Sequence, residues 1–171
     1  MTDAINELAA EAAAAYPGGT VYAYAAQDAV TARILVVEEG GPAFPEGRNI
    51  GAPDDDVTGK WAGILEGAGF EPGMWSWWNA IPCGLDRPLT ADDKARGAKY
   101  LKRAIALHPH LEVVLAVGLV AQQVVGTARP SARVLKTRSP LRTGAGQREE
   151  IRGMFERARL DAYPFGFHRE D

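Results

Sequence analysis

Apolar positions along the chain alternate between two spacings, and that alternation predicts the fold class. Asp3–Ala15 is an alanine-rich stretch with Ile5 and Leu8 on one helical stripe; Thr2 is a capping residue type and Pro17-Gly18-Gly19 ends the helix. Arg33-Ile34-Leu35-Val36-Val37 is a nearly continuous run rich in β-branched residues, the pattern of a central parallel strand buried on both faces. Gly40 to Pro53 is dense in Gly and Pro and reads as a long loop, a feature that commonly carries function. A helix opening at Asp56 or Thr58 runs to Ala68 and stops at Gly69. Met74 to Ile81 reads as a second strand ended by Pro82. Thr90, followed by Asp92 and Asp93, opens a helix that Ala95, Ala98, Leu101 and Ile105 carry to Leu107. Val113–Val117 is a third strand delivered through Gly118 into a short helix, Leu119–Val125. Arg133–Thr137 is a fourth strand, and Gln147–Leu160 a last helix.

Strand and helix signals thus alternate throughout. The expected fold is α/β, a three-layer αβα sandwich with a four-stranded parallel central sheet, because parallel neighbours need right-handed crossovers that put helices on both faces. In such sheets a ligand binds beyond the carboxyl ends of the strands. Those ends are Glu38-Glu39-Gly40-Gly41, Asn79 to Pro82, Gly118, and Thr137-Arg138-Ser139-Pro140.

At 171 residues the chain suits one domain with a substantial core, so 1–171 is read as a single domain. No apolar run approaches the roughly 18 residues of a membrane span, and the first residues lack a secretory signal's basic and apolar regions. A cytoplasmic, membrane-free monomer is expected. Cys83, the one cysteine, has no intramolecular partner and cannot by itself hold zinc or an iron–sulfur cluster, so no metal or cofactor is expected.

Net charge is −3, which argues against a nucleic-acid partner until its distribution is considered. Arg129 to Arg159 holds nine basic residues against three acids, a net of +6, leaving −9 for the rest. A basic end on an acidic body can follow a phosphate backbone; Glu/Arg pairs on a solvated helix face would read the same way.

Four segments in order resemble the uracil-DNA glycosylase superfamily, over about Ile34 to Arg159. Val37-Glu38-Glu39-Gly40-Gly41-Pro42 is similar to that superfamily's first-strand loop, with an acid before a Gly/Pro turn. Trp78-Asn79-Ala80-Ile81-Pro82 resembles its Asn-bearing strand end, and Val117-Gly118-Leu119-Val120-Ala121 its Leu-Gly-x-x-Ala helix start. Thr137-Arg138-Ser139-Pro140 stands where the superfamily has His-Pro-Ser-Pro, and Asp55-Asp56-Val57-Thr58 matches an actinobacterial-type subgroup.

The resemblance implies a DNA glycosylase: hydrolysis of the N-glycosidic bond of uracil or a modified pyrimidine flipped out of DNA. That chemistry passes through an oxocarbenium-like sugar and an anionic leaving base, so it needs a carboxylate near the sugar and a donor for the base. By position Glu39 is the carboxylate, with Glu38 in reserve. Asn79 offers the donor and acceptor of a base reader. Gly40, Gly41 and Pro42 allow close approach of the DNA backbone, and Ser139 and Arg142 would contact phosphate. The departures are as informative. Thr137 falls where the superfamily's His supports the leaving base, and Arg138 where a Pro would be, so excision of plain uracil is expected to be slow unless Arg138 supplies positive charge to the leaving base. The stacking aromatic falls near Asn49 or Ile50, leaving Phe44 or Trp61 as substitutes.

His108 and His110 read as helix-terminal residues, Trp75 and Trp77 as core, and His168 as part of a tail. Two further function classes stay open: a degenerate glycosylase fold that binds DNA or a nucleotide without cleavage, and a nucleotide-binding or small-molecule α/β enzyme. The lack of a P-loop or Gly-x-Gly-x-x-Gly pattern weighs against the last.

Overall fold

The structure, a computed structural model, describes residues 2–51, 56–142 and 144–167. Its helices are α1 (Thr2–Ala15), α2 (Asp56–Gly67), α3 (Ala91–Ala106), α4 (Leu119–Ala128) and α5 (Ala145–Ala162). Its strands are β1 (Thr20–Val21), β2 (Ala23–Tyr24), β3 (Ile34–Gly41), β4 (Asn49–Ile50), β5 (Trp75–Gly84), β6 (Val113–Val117) and β7 (Arg133–Thr137).

The chain is α/β with a mostly parallel central sheet of order β1-β5-β3-β6-β7. The sheet has five strands where the sequence predicts four. The extra one, β1, pairs antiparallel with Cys83 and Gly84 at the end of β5. Two residues are too few for any periodicity to register, so hydrophobic pattern alone could not find it. A separate two-residue parallel pair joins β2 to β4, the latter inside the predicted loop.

β3 and β5 also run further than their patterns suggest, through Glu38–Gly41 and through Pro82. The register of β3 against β5 shifts between Gly40 and Gly41. Gly40 is required there: its φ is +83°, and a Cβ would lie 2.2 Å from the Ile81 carbonyl oxygen.

Strand alternation separates two helix groups. Trp75 and Trp77 point to one face, where Trp77 meets Trp61 of α2 at 5.1 Å and Trp61 meets Phe155 of α5 at 5.4 Å, both edge to face. Ser76 points to the other, where it bonds His108 just beyond α3. Helices on both faces are compatible with a three-layer sandwich. One contiguous core runs through the sheet and both helix layers.

The start of α3 follows the sequence signal closely. Thr90 caps it, accepting from Asp93 N–H, while the Asp93 carboxylate accepts from Thr90 N–H, the reciprocal capping box. Arg87 grips the same carboxylate at 2.6 and 3.0 Å and holds it well below the usual carboxylate range.

The segment before β3 protects the free edge of β5. Gln27 exchanges hydrogen bonds with the backbone of Trp77, accepting its N–H at 2.6 Å, and Tyr24 Oη accepts the N–H of Asn79 at 3.2 Å. Side chains complete a ladder that no neighbouring strand reaches.

Candidate functional site

The chain leaves β3 toward β5 and leaves β6 toward β7, so strand order reverses between β3 and β6. The crevice beyond the carboxyl ends of such a pair is where open α/β sheets bind ligands. A pocket of about 530 Å³ lies there, lined by Glu39, Gly118, Leu119, Gln122, Arg138, Ser139 and Gln147.

Glu39, 9% exposed, lies near the end of β3 beneath the first turn of α4. Its Oε1 accepts from Val120 N–H at 3.4 Å, where the helix's free N–H groups favour an anion. Gly118 permits the approach: at φ +88° it links β6 to α4, and a Cβ there would sit 2.8 Å from Glu39 Oε1. The end of β7 is tied to the same turn, because the Thr137 carbonyl accepts from Gly118 N–H at 2.9 Å and from Gln122 Nε2 at 3.0 Å. Arg138 then projects exposed at the pocket, with no ion pair among the described residues. The pocket thus sets a carboxylate opposite a guanidinium and a hydroxyl.

Asn79 and Phe44 do not line this pocket. Register pairs Asn79 with Glu38, on the opposite face of the sheet from Glu39. Asn79 is fully buried; its Oδ1 accepts from Tyr24 Oη at 2.6 Å, and its Nδ2 donates to Glu38 Oε1 at 3.4 Å. Burial holds the Tyr24 phenol well above its ordinary range, so it stays a donor. Glu38 Oε1 also takes Nη1 of Arg48 at 2.5 Å, and both side chains of this ion pair are almost fully buried. The Arg48 guanidinium lies over the Phe44 ring, 4.5 Å from its centroid.

Of the predicted residues, then, Glu39, Arg138 and Ser139 come together, with Thr137 in the adjoining strand through its carbonyl. Glu38, Asn79 and Phe44 form a second group one strand position away. Gly40 and Gly41 serve the β3–β5 contact, Pro42 is exposed beyond it, and the Arg142 side chain, Asp55 and His168 lie outside the described residues. Trp61 is core rather than a stacking surface. Sequence reasoning missed Gln122, Gln147, Tyr24 and Arg48. Gln122 had a signal, lying three residues after Leu119 on the first turn of α4; Arg48 had none beyond being basic in a Gly/Pro loop.

The basic segment divides. Arg133 and Arg157 pair with Asp161, Arg152 with Glu149, and Arg159 donates to the Ala68 carbonyl. Arg129, Lys136, Arg138 and Arg148 are exposed and carry no ion pair among the described residues. Cys83 is buried and its thiol is pushed up to about 12 by that burial, so it is not a nucleophile. No group of three or more His, Cys, Asp or Glu placed to hold a metal occurs among the described residues, and no described helix is long and apolar enough to cross a membrane. No known family's sequence profile matches the chain, and no curated protein is significantly similar to it.

Proposed function

We propose that the chain is a DNA glycosylase of the uracil-DNA glycosylase type, hydrolysing the N-glycosidic bond of uracil or a modified pyrimidine flipped from DNA. The observation that carries this reading is the Glu39 carboxylate set against Arg138 and Ser139 in one pocket at the strand-order reversal. The resemblance of the four strand-end segments, and a sheet with helices on both faces, support the same fold family.

In this reading Glu39 orients a water at the sugar carbon and takes its proton. The water oxygen bonds to that carbon, the glycosidic bond breaks, and its electron pair leaves with the base. A carboxylate also stabilises the positive charge that develops on the sugar, and Arg138 offsets negative charge on the departing base. Ser139 and the unpaired basic side chains of the 129–159 segment meet phosphates. The test is incubation with duplexes carrying uracil and modified pyrimidines, followed by alkaline cleavage at abasic sites. Cleavage lost in Glu39→Ala supports the reading; product undiminished in that variant overturns the assignment.

One observation favours a second reading, binding without cleavage. Asn79 is wholly buried with both ends of its amide engaged, and Thr137 replaces an imidazole. That reading expects salt-dependent DNA binding, weakened in Arg138→Ala, with no abasic product on any substrate.

A further inference from the structure

The side-chain ladder along the free edge of β5 skips one rung. Ile34 N–H donates to the Met74 carbonyl, so by alternation Met74 and Ser76 turn toward β3, while Trp75 and Trp77 turn away from it. Three side chains meet the outward groups: Tyr24 at Asn79, Gln27 at Trp77 and Thr31 at the Gly73 carbonyl. Trp75 lies between the last two and is passed over. Neither its N–H nor its C=O has a hydrogen-bond partner among the described residues. Such groups are normally paired, and these two face the same side of the strand.

The skipped rung opens into a cleft of about 1730 Å³, lined by Gln27, Thr31, Gly73 and Trp75 together with the rings of Phe70 and Phe167. Phe70 meets Trp75 edge to face at 6.0 Å, and Phe167 lies over Gly73, its Cζ 3.5 Å from where a Cβ would stand. Trp75 pairs with Ile34, at the opposite end of β3 from Glu39, so this cleft is separate from the Glu39 pocket. Gln27 shows what fits such a rung. Its one side-chain amide satisfies both groups of Trp77, Oε1 accepting the N–H at 2.6 Å and Nε2 donating to the C=O at 3.4 Å. An added strand does not fit, because the 24–31 segment already runs beside β5 at side-chain distance, where a strand would lie.

Charge narrows the choice further. Asp28, Glu66 and Glu71 are exposed on the cleft lining, whereas the guanidinium of Arg33 is paired with Glu112 at 2.9 Å and set over the Tyr163 ring. A carboxylate entering here meets like charge and brings no donor for the Trp75 carbonyl. A neutral amide meets neither difficulty, and an aromatic ring attached to it gains the apolar wall. We infer that the cleft is a binding site for a small aromatic carboxamide, its amide filling the Trp75 rung as Gln27 fills the next one and its ring lying against Phe70 and Phe167. The site stands apart from the base-excision reading and does not depend on it.

The test is a titration of the full isotope-labelled chain, followed by nuclear magnetic resonance. Benzamide and nicotinamide are the probes. Acetophenone, which has the ring and the acceptor but no donor, and benzoate, which has acceptors and a charge, are the controls. The Trp75 backbone N–H signal is expected to move downfield and saturate with either amide, while the Trp77 N–H, already held by Gln27, stays in place. Acetophenone is expected to bind roughly tenfold more weakly, the factor for one lost hydrogen bond, and benzoate more weakly still. Phe167→Ala removes part of the wall and leaves the rung, so it should weaken both benzamide and acetophenone and keep the preference between them. A Trp75 signal unmoved by millimolar amide, or acetophenone or benzoate binding as well as benzamide, overturns the site; a Phe167→Ala chain with undiminished affinity overturns the placement of the ring.

Discussion

Replacing Tyr24 by Phe removes one oxygen and isolates the network that fixes Asn79. The ring stays, stacked on Trp78 with centroids 5.4 Å apart and planes 10° from parallel, so packing volume is kept. What is lost is a hydroxyl that accepts the Asn79 N–H at 3.2 Å and donates to Asn79 Oδ1 at 2.6 Å. Asn79 is 0% exposed, so water cannot replace either bond without opening the edge of β5. A buried polar group left unsatisfied costs about 1–3 kcal/mol; with two groups on one residue relaxing together, the expected loss is about 2–4 kcal/mol. At this chain length that lowers Tm by roughly 5–15 °C. Tyr22→Phe is the matched control, because its hydroxyl donates to the Phe44 carbonyl at 3.2 Å in a partly buried bond worth about 0.5–1.5 kcal/mol and does not touch Asn79. Urea denaturation of the three proteins, with the slope checked for constancy, gives the comparison. A Tyr24→Phe protein no less stable than Tyr22→Phe would refute the claim that Asn79 is held by a buried, water-free network.

Three further outcomes follow from the same geometry. Arg48→Met, which removes the guanidinium from the buried Glu38 carboxylate, should destabilise by about 3–5 kcal/mol, and adding Glu38→Gln should recover much of that loss in the double variant; a double variant as unstable as the single would show that packing, not charge, holds the loop. Burial depresses the His108 pKa in the folded chain, so the unfolded chain takes the proton first, near pH 6.5. Its contribution is therefore complete above that pH and shrinks as pH falls below it, and the stability difference between wild type and His108→Gln should narrow on going from neutral pH to about pH 5. Gly118→Ala places a methyl group 2.8 Å from Glu39 Oε1 at a φ of +88°, so a loss of about 1–3 kcal/mol and a fall in any Glu39-dependent activity are expected together; thermal denaturation and the abasic-site assay read the two effects.

Much of the fold was legible because its central strands β3, β5 and β6 are buried apolar runs and α3 is capped. Val113–Val117 falls where its apolar run places it, Arg133–Thr137 follows a weaker Val134-Leu135 signal, and Thr90 with Asp93 marks the start of α3. What escaped was structure made by pairing rather than by pattern: β1, β2 and β4 are two residues each and exist only because β5, or each other, supplies the ladder. The site was half legible for a related reason. Glu39, Gly118 and Arg138 stand at strand ends, which periodicity locates, and the strand-order reversal gathers them. Glu38 and Glu39 look alike in sequence, yet adjacent strand positions face opposite sides of a sheet. Only the register against β5 assigns Asn79 to Glu38, and only the path of the 42–48 loop brings Arg48 to Glu38.

The central claim, that Glu39 acts on a sugar developing positive charge, is tested most directly without knowing the base. Duplex DNA carrying a positively charged pyrrolidine in place of one deoxyribose mimics that charged sugar, and the neutral tetrahydrofuran analogue does not. The wild-type chain is expected to bind the charged duplex tighter than the neutral one by about a hundredfold, the lower end for transition-state mimics, and Glu39→Ala to lose that margin. Equal affinity of the wild-type chain for the two duplexes would contradict the account.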